Sequence, residues 1–239
     1  MNELSNFKKI QVETYSKLAD SFDKKQKREN RNHINKINAI RDFFNIQKKD
    51  RVLELGVGTG IHAYHLLKSA PKDVSYYGID LSESMLEQSK KRLSEFKNVK
   101  LLSMEGENLK FKNNFFDKVF ISGSLHHFEI PQKGISEMIR VLKKGGRFCI
   151  MEPNYMFPTN FISSIVLPEE KNISLMKKRL FKKWLNHKNV SYNIENFAYT
   201  PPFPKIFIPF YNILDKIIAK IPVINKISVM LFVKGIKNE

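Results

Sequence analysis

Residues 51–60, RVLELGVGTG, run from a short apolar segment into a turn built on Gly56, Gly58 and Gly60, and no other stretch constrains the fold as much. A Val/Leu run that ends on closely spaced glycines predicts a strand leaving its sheet through a tight turn. Gly56 and Gly58 let the backbone turn sharply and approach a ligand where a Cβ would collide, and a following helix aims its free N–H groups at that ligand. Glu54 places a carboxylate in the strand, two residues before the first glycine. Together these point to a nucleotide-type cofactor site, and the spacing then separates two kinds of cofactor. A dinucleotide fingerprint needs G-x-G-x-x-G, and its third glycine position is Ile61 here; the glycine falls one residue earlier, at Gly60.

The segments that follow are in register with this turn. Val74–Asp80, VSYYGID, is a β-branched and aromatic run ending in an acid about 20 residues past the glycines, where nucleotide-binding sheets place a ribose acceptor. Asp80 is therefore the expected ribose anchor. A third apolar run, Val99–Met104, leads into Glu105-Gly106-Glu107-Asn108-Leu109, and a fourth covers Phe116–Phe128. Val141–Phe148 reads as a helix end, a glycine C-cap and the start of a fifth strand. Helical spacing at Ile61–Lys68, Glu83–Phe96 and Lys133–Leu142 alternates with these runs, so successive strands are expected to be parallel with right-handed crossovers. Residues 5–47 read as helical, with Ile37, Ile40 and Phe44 packing ahead of the first strand.

Glu54 with the Gly56–Gly60 turn resembles motif I of the class I S-adenosylmethionine-dependent methyltransferases, and the five segments between about residues 50 and 153 follow that family's order. The resemblance implies an α/β fold: a Rossmann-like seven-stranded sheet, mostly parallel with an antiparallel last strand, plus N-terminal helices and a C-terminal helical insertion. It implies S-adenosyl-L-methionine as cofactor and S-adenosyl-L-homocysteine as product. Gly56, Gly58, Thr59 and Gly60 would hold the methionine portion, Asp80 the ribose, and Glu105, Gly106 and Glu107 the adenine, with Glu54, Leu81, Met85 and Ser122 completing the cofactor set. Glu13–Asp23 resembles the family's amino-terminal helix and turn, with Tyr15 either facing the cofactor or packed in the core. The chain is expected to form a single domain: a helical cap at 1–50, the cofactor-binding core at 51–153, and a substrate-side part at 154–239. Beyond Pro153 the match is regional, with a helix at Asn172–His187, a strand at Val190–Tyr199 and the final strand at Ser228–Lys237.

The implied reaction is in-line displacement, in which an acceptor atom attacks the sulfonium-bound methyl. Its demands are alignment, exclusion of water and, for a hydroxyl acceptor, removal of a proton. His126 and His127 are the candidate bases, because histidine titrates near neutrality and the loop after the fourth strand opens towards the methyl. From an extended loop only one of the two can point inward, and the alternative role for His127 is to position that loop. Glu152, Asn154 and Tyr155 are further pocket candidates. Exocyclic base methylation is disfavoured, because Ser122-Gly123-Ser124-Leu125 stands where the nucleic-acid amino-methyltransferases carry [DN]-P-P-[FYW]. The loop positions that hold a metal in some quinone-pathway O-methyltransferases are Gly123, His126 and His127; both carboxylates are missing, so no metal is expected.

The remaining expectation concerns the acceptor. A 28-residue insertion, Thr200–Ile227, carries Phe210, Ile213, Leu214, Ile217, Ile218 and Ile221 along one side of a helix, with Lys216 and Lys220 off the stripe. It reads either as a cover packed over the site or as an interfacial helix touching anionic lipid. The net charge of +17 fits such a peripheral contact, or an RNA partner, or simply the Lys-, Asn- and Ile-rich usage of an AT-biased genome; residues 171–239 hold 13 Lys/Arg against three acids. The favoured function is methyl transfer to a small-molecule or lipid-linked metabolite. The alternatives are a non-catalytic binding module of the same fold and an RNA-directed enzyme. One cysteine, Cys149, excludes an internal disulfide, and MNELSNFKKI has no apolar signal core, so a cytoplasmic protein, peripheral at the membrane at most, is expected.

Overall fold

A computed structural model describes residues 4–28, 30–186, 188–197 and 228–239, with side chains at 23–33 left aside. The chain starts with helices α1 (Asn6–Arg28) and α2 (Asn30–Phe44). An alternating core follows: β1 (Arg51–Leu55), α3 (Ile61–Ser69), β2 (Ser75–Asp80), α4 (Glu83–Arg92), β3 (Val99–Ser103), β4 (Phe116–Ser122), α5 (Pro131–Val141) and β5 (Leu142–Pro153). Then come α6 (Pro158–Val166), α7 (Lys178–Leu185), β6 (Val190–Phe197) and β7 (Met230–Lys237). The seven strands among the described residues form one sheet in the order β3-β2-β1-β4-β5-β7-β6. β1 to β5 pair in parallel, and β7 runs antiparallel to both β5 and β6, as the family resemblance implies.

Period-two alternation explains why both faces of this sheet are covered. Leu53, Leu55, Val119, Ile121, Phe148 and Ile150 point to one face and pack on α5 and α7 through Met138, Phe181 and Trp184. Val52, Tyr76, Phe120, Cys149 and Met151 point to the other and pack on α2 and α3 through Ile40, Phe44 and Leu66. Parallel strands buried on both sides need such helical cover. Each fully buried large apolar side chain contributes about 1.5–3 kcal/mol, so the sheet is a rigid platform for the loops at its carboxyl edge. The strand order reverses between β1 and β4, and the crevice outside their carboxyl ends is where open α/β sheets bind ligands.

Several expected boundaries shift for identifiable reasons. α5 starts at Pro131, whose fixed φ suits the first helical position, and stops at Val141, where Leu142 is already extended. Gly145 is therefore no helix C-cap. It lies at φ 73° within β5, where Leu142 pairs with Phe116 and Arg147 with Lys118, so residues 143–146 bulge from the ladder. The helix expected at Asn172–His187 is split into a 3-10 segment, Pro168–Leu175, and α7. α6 was not expected at all. The predicted insertion 200–227, with its helical stripe from Phe210 to Ile221, lies outside the described residues. No helix among the described residues is long and apolar enough to cross a membrane.

Candidate functional site

The turn after β1 is built as its glycines predict. Gly56, Gly58 and Gly60 take φ of 73°, 54° and 77°, the left-handed region that side chains avoid. A Cβ on Gly56 would lie 2.4 Å from Ser124 Cβ, and one on Gly60 2.5 Å from Ser89 Oγ, so packing from the loop after β4 and from α4 requires both glycines. Gly58 differs: nothing lies within 4 Å of where its Cβ would be, because that direction is the open cavity. Gly60 caps α3, whose first N–H groups face the same space.

Asp80 closes the opposite wall at the end of β2. One carboxylate oxygen accepts from Gly58 N–H at 2.8 Å and the other from Ser82 N–H at 2.9 Å. Burial raises its pKa from the ordinary aspartate range, with the Ser82 and Gly58 N–H bonds opposing. A carboxylate held at this point by two backbone donors suits a vicinal diol. Ser82, buried, caps α4 by accepting from Met85 N–H at 3.4 Å.

Glu54 is fully buried behind the turn. It accepts from Tyr76 Oη and contacts His62 Nδ1 at 3.1 Å, and His62 Nε2 lies 3.4 Å from Ser122 Oγ. Burial pushes Glu54 up to about 8, against the Tyr76 bond, and drives His62 down to about 3. A neutral glutamic acid and a neutral imidazole thus brace β1, β2 and α3 from below. Glu54 does not line the cavity, and neither does Gly60. The other expected cofactor residues do: Tyr15, Gly56, Gly58, Thr59, Asp80, Leu81, Met85, Glu105, Gly106, Glu107 and Ser122. The cavity measures about 580 Å³.

Helix α1 is fastened across this cavity by polar contacts. Lys8 Nζ reaches Glu105 at 3.0 Å, Glu107 at 3.4 Å and Glu129 at 3.8 Å, beside the loop expected to flank adenine. Gln11 Nε2 donates to Glu169 O at 2.8 Å, and Ser16 Oγ meets Ser82 Oγ at 3.2 Å. Tyr15 Oη lies 2.8 Å from His127 Nε2. Burial, followed by the charges of Glu170 and Glu169, raises the Tyr15 phenol well above its ordinary pKa. It stays a donor.

The two histidines occupy a 3-10 turn, Leu125–His127, rather than an extended loop. Three residues per turn rotate neighbouring side chains by about a third of a circle, so both can line the cavity, against the expectation that only one would. Their ring centroids lie 3.8 Å apart. His126 is clamped between carboxylates, with Nδ1 2.5 Å from Glu152 and Nε2 3.1 Å from Glu170. Burial opposes its charge, but Glu152 and Glu170 prevail and raise its pKa to about 10. For Glu170 burial acts upward and is outweighed by the His126 bond and charge, which hold it at about 2. His127 goes the other way: burial and the neighbouring His126 charge lower it to about 3.

His126 therefore carries a proton on each nitrogen at neutral pH and has no lone pair to offer a substrate. His127 is a neutral acceptor whose Nε2 is taken by Tyr15. His126, His127 and Glu170 have ligand atoms within 4.8 Å of one another, close enough for a metal. An ion there would have to displace the proton that His126 Nε2 directs at Glu170. Glu152, once a pocket candidate, points away from the cavity and accepts Ser124 N–H and Leu125 N–H at 2.9 Å each; Asn154 and Tyr155 do not line the cavity either. Sequence reasoning missed Lys8, His62 and Glu170. His62 alone left a local sign, a polar residue in the first turn of the helix behind the glycines.

Past the histidines the cavity gains apolar walls from Phe157, Leu167, Ile173, Val229 and Met230, with Thr159, Asn160 and Ser163 of α6 between them. The glycine turn, the Asp80 carboxylate and these apolar walls share one continuous space.

A family model described as a methyltransferase domain matches residues 46–202. The chain is 38% identical over 103 residues to a demethylmenaquinone methyltransferase of Clavibacter sepedonicus, a match covering 43% of this chain and 41% of that protein. It is 32% identical over 143 residues to the chloroplastic 2-methyl-6-phytyl-1,4-hydroquinone methyltransferase 2 of Oryza sativa subsp. japonica, covering 56% and 40%. The chain thus spans about two fifths of the length of the curated relatives it matches. Among solved structures, a SAM-dependent methyltransferase of Thermotoga maritima superposes with a TM-score of 0.70 at 16% identity, over 95% of this chain and 99% of that one, which is a likeness of fold.

Proposed function

For a chain that belongs to the class I S-adenosylmethionine-dependent methyltransferases, we propose that it transfers a methyl group to a small, predominantly apolar metabolite, free or lipid-linked. The observation that carries this reading is the single cavity running from the Gly58–Asp80 wall to the apolar wall of Phe157, Leu167 and Ile173. S-adenosylmethionine, when bound, supplies an electrophilic methyl on a sulfonium. Asp80 would take the ribose hydroxyls, the backbone at Gly58 and the α3 N-terminus the methionine end, and Glu105 with Gly106 the adenine edge. The naming of both curated relatives after quinone or hydroquinone methylation supports an aromatic, apolar acceptor.

The chain's own part in the reaction is alignment and exclusion of water rather than proton abstraction. His126 holds its proton between two carboxylates, and His127 orients Tyr15, whose hydroxyl and ring then border the acceptor half. Positioning of this kind supplies a large share of the acceleration in a displacement whose electrophile is already activated.

The test is incubation of the purified protein with methyl-labelled S-adenosylmethionine and cell extract, followed by mass identification of the labelled product. Label in an organic-extractable small molecule is expected. Label in RNA would replace this acceptor class, and binding of S-adenosylhomocysteine without label transfer to any fraction would leave a binding module.

A further inference from the structure

Helix α6 is amphipathic in the reverse sense to an ordinary surface helix. Asn160, Ser163 and Leu167, spaced i, i+3, i+7, line the cavity. Phe161, Ile162, Ile165 and Val166 occupy the opposite stripe, and with Met156 and Leu167 they are 41–68% exposed. No residue of the helix is buried, and its sequence, PTNFISSIV, carries no charge. Its rotation is pinned, because Asn160 Nδ2 donates to Asn154 O at 2.9 Å and to Val229 O at 2.8 Å. The helix cannot roll its apolar stripe inward without breaking both bonds. Contiguous apolar surface of several such side chains marks an interaction site on a folded domain.

The rim of this surface is basic and aromatic. Lys177 Nζ sits 4.0 Å from the Tyr155 ring centroid, and Tyr155 meets Phe161 edge-on at 5.4 Å. Exposed Lys171 lies 4.5 Å over Phe7 of α1. An uncharged aliphatic stripe bordered by lysine and tyrosine matches a lipid interface, where the stripe enters the acyl boundary and the ammonium groups meet anionic headgroups. The chain's net charge of +17 adds long-range attraction of the same sign.

We propose that α6 docks face-down on an anionic bilayer and holds the cavity mouth at headgroup depth, where an apolar acceptor passes along Ser163 and Leu167 without crossing water. The docking step is independent of methyl transfer, since it can be read without turnover. The full-length protein is mixed at low salt with vesicles of phosphatidylcholine, with or without phosphatidylglycerol as the anionic lipid, and centrifuged through a density step. Wild type is expected to float with the anionic vesicles only. Ile162→Asp with Ile165→Asp, both outside the cavity, is expected to cut the floated fraction by about tenfold, because each aspartate must be desolvated to enter the interface. Thermal melting and S-adenosylhomocysteine affinity of the double variant, measured alongside, are expected to match wild type. The proposal is overturned if wild type fails to float with anionic vesicles, or if the folded double variant floats as wild type does. It is equally overturned if wild type is a dimer in solution that the double variant converts to monomer, which would make a second copy the occupant of this face.

Discussion

Replacing Glu152 by glutamine tests the charge clamp beneath the histidine turn. Glutamine keeps an acceptor for Ser124 N–H and Leu125 N–H but removes the negative charge 2.5 Å from His126 Nδ1. Glu152 is wholly buried and His126 nearly so, so solvent screens the pair little. Removing one member of a buried pair costs about 3–5 kcal/mol, and the lower figure applies here because Glu170 still faces Nε2. With a urea m-value near 3 kcal/mol/M for a chain of this size, the midpoint should fall by about 1 M. Trp184, the only tryptophan and largely buried, reports the transition by fluorescence.

The pH dependence carries the sign of the mechanism. His126 rises from an ordinary 6.5 to about 10 on folding, so its contribution is complete below 6.5 and fades as pH climbs to 10. Glu170, lowered from 4.5 to about 2, contributes fully above 4.5 and fades as pH falls to 2. The stabilisation is therefore at its plateau between pH 4.5 and 6.5. Glu152→Gln should lie furthest below wild type there, and the gap should narrow towards pH 10. Equal midpoints at pH 6, or a gap that does not change up to pH 10, would refute the clamp.

Other consequences are separable from this one. The pH profile of kcat/KM should show no inflection between about 5 and 8.5 from His126 or His127, since they titrate near 10 and 3; an inflection near 6.5 that disappears in His127→Gln would restore a base. Gly58→Ala should weaken S-adenosylhomocysteine binding by at least about tenfold while the protein remains folded, because a Cβ there has no protein atom within 4 Å and projects into the open space beside the cavity, at about 1–2 kcal/mol of backbone strain. Unchanged affinity by calorimetry would remove the glycine turn from the site. Lys8→Met should loosen α1, seen as faster proteolysis after its lysines and as weaker cofactor binding, with bound S-adenosylhomocysteine failing to restore full protection; unaltered digestion would show that the other contacts of α1 suffice.

The parts of the fold that were legible are those where local pattern and tertiary role coincide. β1 to β5 announce themselves because each carries a short apolar run that gives way to a glycine or an acid, and the sheet places those ends in one crevice, although β5 itself starts well before its run, at Leu142. α6 was illegible because its pattern is inverted: Phe161, Ile162, Ile165 and Val166 face outward, while Asn160 and Ser163 face the cavity. Gly145 misled because a lysine-glycine stretch after a helix looks like a C-cap, whereas β5 had begun at Leu142 and needed the glycine for a bulge. Glu170 joins His126 across 44 positions of sequence, a link that spacing cannot carry, and its charge, with that of Glu152, reverses the role expected of that histidine. An extended loop turns only one of two adjacent histidines inward, whereas the 3-10 turn at Leu125–His127 lets both line the cavity.

The central claim is that the Gly56–Gly60 turn and Asp80 bind an adenosyl cofactor of the methyl-donor type. Calorimetric titration of wild type and Asp80→Asn with S-adenosylhomocysteine and with NAD tests it most directly. Hydrogen bonds to a charged group contribute about 1.5–3 kcal/mol each, so loss of the carboxylate should weaken S-adenosylhomocysteine binding by about 10- to 100-fold, with no heat from NAD in either protein. Binding of NAD but not S-adenosylhomocysteine by wild type, or equal S-adenosylhomocysteine affinity in the folded Asp80→Asn protein, would contradict the account.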